Sequence, residues 1–145
     1  MPTHYLSIDV GSTSVTALII DIEAKAVVGS STIANNAEIT SPQDKKRGRS
    51  EWDLVRMTDL AVTNAANLIS STKTQPAAIG ITGQQQGLQL LDKDLNTVGN
   101  FISWQDQRSK DPLPGSSSGE NRTYLDAMGE LGGAVTEENG LPAFD

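Results

Sequence analysis

Apolar and polar positions change rhythm several times along the chain, and each change marks an element. Tyr5 to Val10 is an apolar, β-favouring run that stops at Gly11-Ser12-Thr13-Ser14. Val15 to Ile20 is a second such run, ending at Asp21, and Ala26 to Ile33 is a third, after the polar turn Glu23-Ala24-Lys25. Connections this short join antiparallel neighbours, so the pattern predicts a three-strand meander of two hairpins. Asn35 to Arg49 is polar, contains Pro42 and reads as a loop.

A different period follows. Leu54, Met57, Ala61, Ala65 and Leu68 recur at spacings of three and four, which puts them on one face of a helix from about Asp53 to Ser70. Ser50 and Asp53 both suit a cap, and together they fit a variant of the capping box. Trp52 reads as a staple at the helix start. Pro76 lies beyond the helix end. Ala77 to Thr82 then reads as a buried strand, and reaching it through a helix implies parallel addition to the sheet. Gly83-Gln84-Gln85-Gln86-Gly87 breaks that run. Leu88 to Leu91 and Val98 to Trp104 read as strands around the turn Asp92 to Asn96. Pro112 to Asn121 is a Pro/Gly/Ser-rich flexible loop, Thr123 to Leu131 a short helix, and the remainder carries weak signals. The fold class is α/β: a mixed sheet with an antiparallel meander followed by α-β units.

Composition narrows the function. A length of 145 residues suits one domain and is short for a two-domain enzyme. The formal net charge of -7 is the wrong sign for a nucleic-acid binder, and Lys45-Lys46-Arg47-Gly48-Arg49 reads as a solvated loop. Without cysteine there is no disulfide framework, thiolate metal site or cysteine nucleophile. His4 is the only histidine and has no evident partner, so a histidine-based triad is excluded. No stretch is apolar for long enough to span a bilayer, and no basic segment leads into an apolar one at the start. A soluble cytoplasmic protein with no membrane partner is the expectation.

Three segments carry candidate chemistry. In Ile8-Asp9-Val10-Gly11-Ser12-Thr13-Ser14 a strand ends in an acid and a glycine turn rich in hydroxyls. Gly11 lets backbone approach an anion, and successive amides with the hydroxyls of Ser12, Thr13 and Ser14 can form an anion-binding nest. Asp9 would repel phosphate directly, so its role there would be to hold Mg²⁺ or its waters. An ordinary hairpin turn remains the alternative. The segment is neither a Walker A loop nor a dinucleotide fingerprint. Gln84, Gln85 and Gln86 sit where a core strand runs out, and uncharged amides suit a polyhydroxylated ligand, though a plain polar turn has the same composition. Trp104 could pack on the C–H face of a sugar while Asp106 accepts from hydroxyls, with Arg108 beside them. The alternative is a core tryptophan capped by an Asp106–Arg108 ion pair.

Taken together, these segments resemble the FGGY family of carbohydrate kinases, which includes glycerol kinase, xylulokinase and sedoheptulokinase. The strand-turn-strand signature stands here as IDVGSTSVTALIID, the Glu-x-Asp signal before the first helix as Glu51-Trp52-Asp53, the next strand end as IGITGQQQGLQLLD, and the Trp-x-Asp-x-Arg element as ISWQDQRS. The resemblance covers roughly residues 5 to 110 and implies an RNase H-like, actin-like ATPase fold. It also implies transfer of the γ-phosphate of MgATP to a sugar or polyol hydroxyl. By resemblance, Asp9 lies near the metal and phosphates, with Gly11, Ser12, Thr13 and Ser14 in the phosphate turn. Gln84, Gln85, Gln86 and Trp104 line the sugar site, with Asp106 and Arg108 beside it.

The sequence departs from the family in places. Thr16 stands where Lys or Arg is frequent. Gln85-Gln86 replaces the Met-His pair of xylulokinase-like members and the Arg-Glu pair of glycerol kinase, which argues against a simple glycerol kinase, while the Trp104-Gln105-Asp106 form resembles the ketose kinases, those of xylulose and sedoheptulose included. Family members are several times longer. Their catalytic base and adenine-binding domain lie downstream, so residues 1–110 are expected to form the first part of the N-terminal domain and 111–145 a loop with its incomplete continuation. Alone, such a portion is expected to be inactive and to expose a face that favours self-association into a homodimer. The rival readings are an actin-like or chaperone-type ATPase, a non-catalytic sugar- or partner-binding module, and an RNase H-type nuclease. The acidic balance disfavours the last.

Overall fold

The computed structural model describes residues 3–115 and 122–130. The chain divides into two compact units. One comprises the residues up to Glu38 and then Asp53–Gln85; the other comprises Ile39–Trp52 and the residues from Gln86 onward.

The first unit is a four-stranded sheet with one helix on it. Strands β1 (His4–Val10), β2 (Ser14–Asp21) and β3 (Ala26–Ala34) form the antiparallel meander that the alternation predicts. The sheet order is β3-β2-β1-β5, with β5 (Ala78–Gly83) parallel to β1. Directly paired residues share a face. Leu6, Ile8 and Val10 on β1 pair with Ile19, Ala17 and Val15 on β2. That face packs on Ala61, Ala65 and Leu68 of helix α2 (Leu54–Thr72). Burial of each of the larger side chains contributes about 1.5–3 kcal/mol.

Asp53 caps α2, accepting from the Arg56 N–H, and Lys73 ends it in the left-handed region. Ser50 is not a cap. Asn64 ties the helix to the sheet, donating to the backbone oxygens of Val15 and Ser31 and accepting from the Ser31 hydroxyl. One expectation fails here: β5 is not buried. It is the edge of the described sheet, and Ile79 and Ile81 are 58% and 75% exposed. His4 also has a partner after all, with its Nε2 3.5 Å from the Asp21 carboxylate.

The second unit holds a three-stranded sheet in the order β4-β7-β6, formed by β4 (Glu51–Trp52), β6 (Leu88–Leu91) and β7 (Thr97–Ile102). It also holds α1 (Pro42–Lys46), a single turn of 3-10 helix at Arg108–Lys110, and α3 (Tyr124–Glu130). The segment 35–49, read as a loop, therefore contains a short helix. Ser41 caps α1 by accepting from the Asp44 N–H, and Pro42 opens it, where a missing N–H costs nothing. Trp52, read as a helix staple, is a buried strand residue that pairs with Phe101. Thr123 and Asp126 cap α3 reciprocally. The end of the expected helix at Leu131, the weak segment after it, and positions 116–121 of the expected loop lie outside the described residues.

Candidate functional site

On the first unit, the candidate phosphate turn closes where β1 hands over to β2. The Gly11 N–H donates to the Ser14 carbonyl at 2.9 Å, so that amide is used within the turn. Among the described residues, no acceptor takes the N–H of Ser12 or Thr13. Two amides and two neighbouring hydroxyls are thereby without partners among the described residues, the composition of an anion-binding nest. A Cβ on Gly11 would meet the Ser14 oxygen at 3.1 Å, which explains the glycine.

Asp9 lies on the sheet face opposite α2. Its cross-strand neighbours are Thr16 on β2 and Thr82 on β5. The carboxylate is exposed and, among the described residues, makes no hydrogen bond or ion pair. No group of three or more acidic or histidine side chains that could hold a metal occurs among them. A single unpaired carboxylate fits Mg²⁺, which keeps several waters and takes its other ligands from phosphate.

The parallel register aligns Val10 with Gly83, which brings the glutamine segment level with the phosphate turn. The Gln84 N–H donates to the Val10 carbonyl at 3.1 Å. Its side chain turns back onto α2, with Nε2 3.7 Å from the Met57 sulfur and a buried Oε1 that has no partner among the described residues. Gln85 is exposed. Gln86, the first residue of the second unit here, is exposed and held at φ 60, a left-handed conformation uncommon for a residue with a side chain.

On the second unit, Trp104 lies just beyond β7 and not within it, and the residue is 41% exposed. It is not a core residue. Asp106 is: its side chain is 1% exposed. One carboxylate oxygen accepts from the backbone N–H and Nε of Arg108 at 2.9 and 2.8 Å; the other accepts from the Ser50 N–H and Arg108 Nη2 at 2.8 and 2.9 Å. Burial opposes ionisation of Asp106, but these donors outweigh it and hold its carboxyl below the usual range. Glu51 is lowered too, first by the Asn100 amide at 2.7 Å and then by Arg108 at 2.5 Å. Arg108 is pushed up in turn by both carboxylates, Asp106 foremost.

The hydroxyls of Ser50 and Ser103 meet at 2.7 Å, and the Trp52 indole N–H donates to Ser50 Oγ at 3.2 Å. Gln107 N–H donates to the Gly48 carbonyl. Segment 48–52 thus clamps the turn that presents Trp104. Sequence reading missed Ser50, Ser103 and Glu51 in this network, and it missed Asn35 beside the phosphate turn. Serines and a lone asparagine in polar segments carry no periodicity that would single them out.

The profile of the N-terminal domain of the FGGY family of carbohydrate kinases matches residues 4–117. The chain belongs to that family. No curated protein matches it in sequence. Among solved structures it is similar to a xyloylose kinase from Brucella ovis, at 31% identity and a TM-score of 0.64, over 74% of this chain and 22% of that one. It is also similar to a gluconate kinase from Lactobacillus acidophilus, at 25% identity and a TM-score of 0.60, over 76% and 21%. A xylulose kinase from Rhodospirillum rubrum, at 23% identity and a TM-score of 0.65 over 74% and 22%, shares the fold. This FGGY chain therefore spans about a fifth of the length of those structures. The RNase H-like, actin-like ATPase fold expected from the sequence is the fold of these neighbours. Among the described residues, no helix is long and apolar enough to cross a membrane.

Proposed function

We propose that this chain supplies the phosphate-holding turn and the sugar-contacting residues of an ATP-dependent carbohydrate kinase that acts on a ketose such as xylulose or sedoheptulose in preference to glycerol. The observation that carries this reading is the Gly11–Ser14 turn, with two uncommitted amides and an unpaired Asp9 at the carboxyl end of paired parallel strands. Ser12 and Thr13 would take phosphate oxygens through N–H and hydroxyl. Asp9 would hold a divalent cation through its waters. When bound, that cation supplies charge neutralisation on the transferred phosphate.

Gln85, Gln86 and Trp104 would contact the sugar. Gln84 would support the strand end, and Asp106 with Arg108 would fix the turn bearing Trp104. The ketose preference rests on the Trp104-Gln105-Asp106 form, which resembles that of the ketose kinases, and on Gln85-Gln86 standing in place of the Arg-Glu pair of glycerol kinase; membership of the FGGY family supports a sugar or polyol acceptor without choosing among them. The base that takes the hydroxyl proton is assigned outside these residues. The cytoplasm, which supplies ATP, is the compartment this reading implies.

Calorimetry with MgADP and a ketose panel, titrated separately, tests the reading. The wild-type chain is expected to bind MgADP, and Asp9→Asn to weaken it about tenfold while leaving metal-free ADP less affected. Absence of MgADP binding overturns the reading, and sugar binding without it leaves a non-catalytic sugar module. A coupled assay with ATP and the same ketoses is expected to show no turnover; robust turnover would move the base into this chain.

A further inference from the structure

The residue that ends β3 and begins the polar segment does more than join elements. Asn35 is buried, and its backbone N–H and both polar atoms of its side chain are engaged. Its backbone N–H donates to the Thr13 carbonyl at 2.9 Å, and its Nδ2 donates to the Gly11 carbonyl at 2.7 Å. Its Oδ1 accepts from the Ala37 N–H at 3.2 Å. One residue therefore holds two carbonyls of the four-residue turn.

The peptide bond gives those two contacts a directional effect. The Gly11 carbonyl and the Ser12 N–H belong to one planar trans peptide and point in opposite directions. Pinning the Gly11 oxygen toward Asn35 therefore aims the Ser12 N–H away from it, out of the protein's own hydrogen-bonding. Without that contact the Gly11–Ser12 peptide could rotate, because glycine places few limits on its own dihedrals.

We propose that Asn35 is a positioning residue for the phosphate turn, fixing the direction of the Ser12 amide before any anion arrives. This rests on the reading of the turn as a phosphate site. Asn35 touches no phosphate itself. It removes the ordering that the turn would otherwise undergo on binding, and the gain is read as affinity.

The test measures MgADP affinity by calorimetry for the 145-residue chain, well below its melting temperature. Asn35→Ala is expected to bind about tenfold more weakly, the cost of one lost hydrogen bond to a half-buried carbonyl together with a loosened turn. Asn64→Ala is the structural control, since it removes buried hydrogen bonds to Ser31 and Val15 and none to the turn. It should lower the melting temperature yet keep the affinity within about twofold of wild type. Should Asn35→Ala fail to fold, Asn35→Ser replaces it, with a hydroxyl one bond short of the Nδ2 position, and the same loss is expected. Wild-type affinity in the Asn35 variant, or an equal loss in Asn64→Ala, overturns the positioning role alone. Absence of MgADP binding by the wild type overturns the phosphate reading and this inference with it.

Discussion

In the unit that carries the Gly11–Ser14 turn, the buried side chains are largely hydrocarbon: Leu6, Ile8, Val15, Ala17, Ile19, Ala37, Met57, Ala61, Ala65 and Leu68, with Asn35 and Asn64 as the polar members. In the unit that carries Trp104, the buried residues among those described are Trp52, Ser50, Ser103 and Asp106. The first is held by area removed from water, which is non-directional and insensitive to pH. The second is held by hydrogen bonds converging on Ser50 and Asp106, which are directional and depend on charge. Two strategies within one short chain suit two tasks. A hydrophobic sheet gives the Gly11–Ser14 turn, the proposed phosphate site, a firm base, while a polar clamp holds the turn that bears Trp104.

The contrast can be broken from either side. Both tryptophans, Trp52 and Trp104, lie in the polar unit, so their fluorescence reports on it, while helical circular dichroism reports mainly on α2. The largest effect is expected from Ile19→Ala, which empties a fully buried position and should cost about 3 kcal/mol in urea unfolding followed by dichroism. Asp106→Ala should cost about 2–3 kcal/mol, because it strands the Ser50 N–H and Arg108, and the loss should appear first in tryptophan fluorescence.

Acid undoes the same contacts without deleting an atom. Asp106 and Glu51 are held below their ordinary values of 3.8 and 4.5, so the stability they contribute is complete above those values. It falls as pH drops through the lowered folded values. Tryptophan fluorescence should therefore change at a higher pH than helical dichroism, and coincident transitions would erase the distinction. The smallest effect is expected from Asp53→Ala, which removes the cap of α2 and should cost about 1 kcal/mol by thermal melting.

The sequence made the apolar unit far easier to read than the polar one. Alternation in Tyr5 to Ile33 and the three-four spacing from Leu54 to Leu68 located the meander and α2 within a few residues, because both patterns are consequences of what is buried. Burial of β5 is not legible in this way, since an apolar strand looks the same at a sheet edge as in its middle. A two-residue strand such as Glu51–Trp52 has no period at all. Ser41-Pro42 carries a start signal for α1, but a proline inside a polar segment marks a loop equally well. The Asp106–Arg108 ion pair is one of the two readings that their segment offers, and it is a contact the structure contains. That Asp106 is saturated and buried could not be known without Ser50, which is distant in sequence and made close by β4 and β7.

The bond from the Asp53 N–H to the Ala37 carbonyl, 2.9 Å long, links the two places where the chain leaves the first unit and returns to it. It stands next to Asn35, whose Oδ1 holds the same Ala37. In kinetic terms this is the closing of a ring. The β1–β2–β3 meander uses contacts near in sequence and can form early, phosphate turn included. The capped start of α2 and the β1–β5 pairing must wait until residues 39–52 have been looped out, and that ring carries an entropic cost. The Gly11–Ser14 turn is thus expected to take shape before the parallel strand that later stands beside β1.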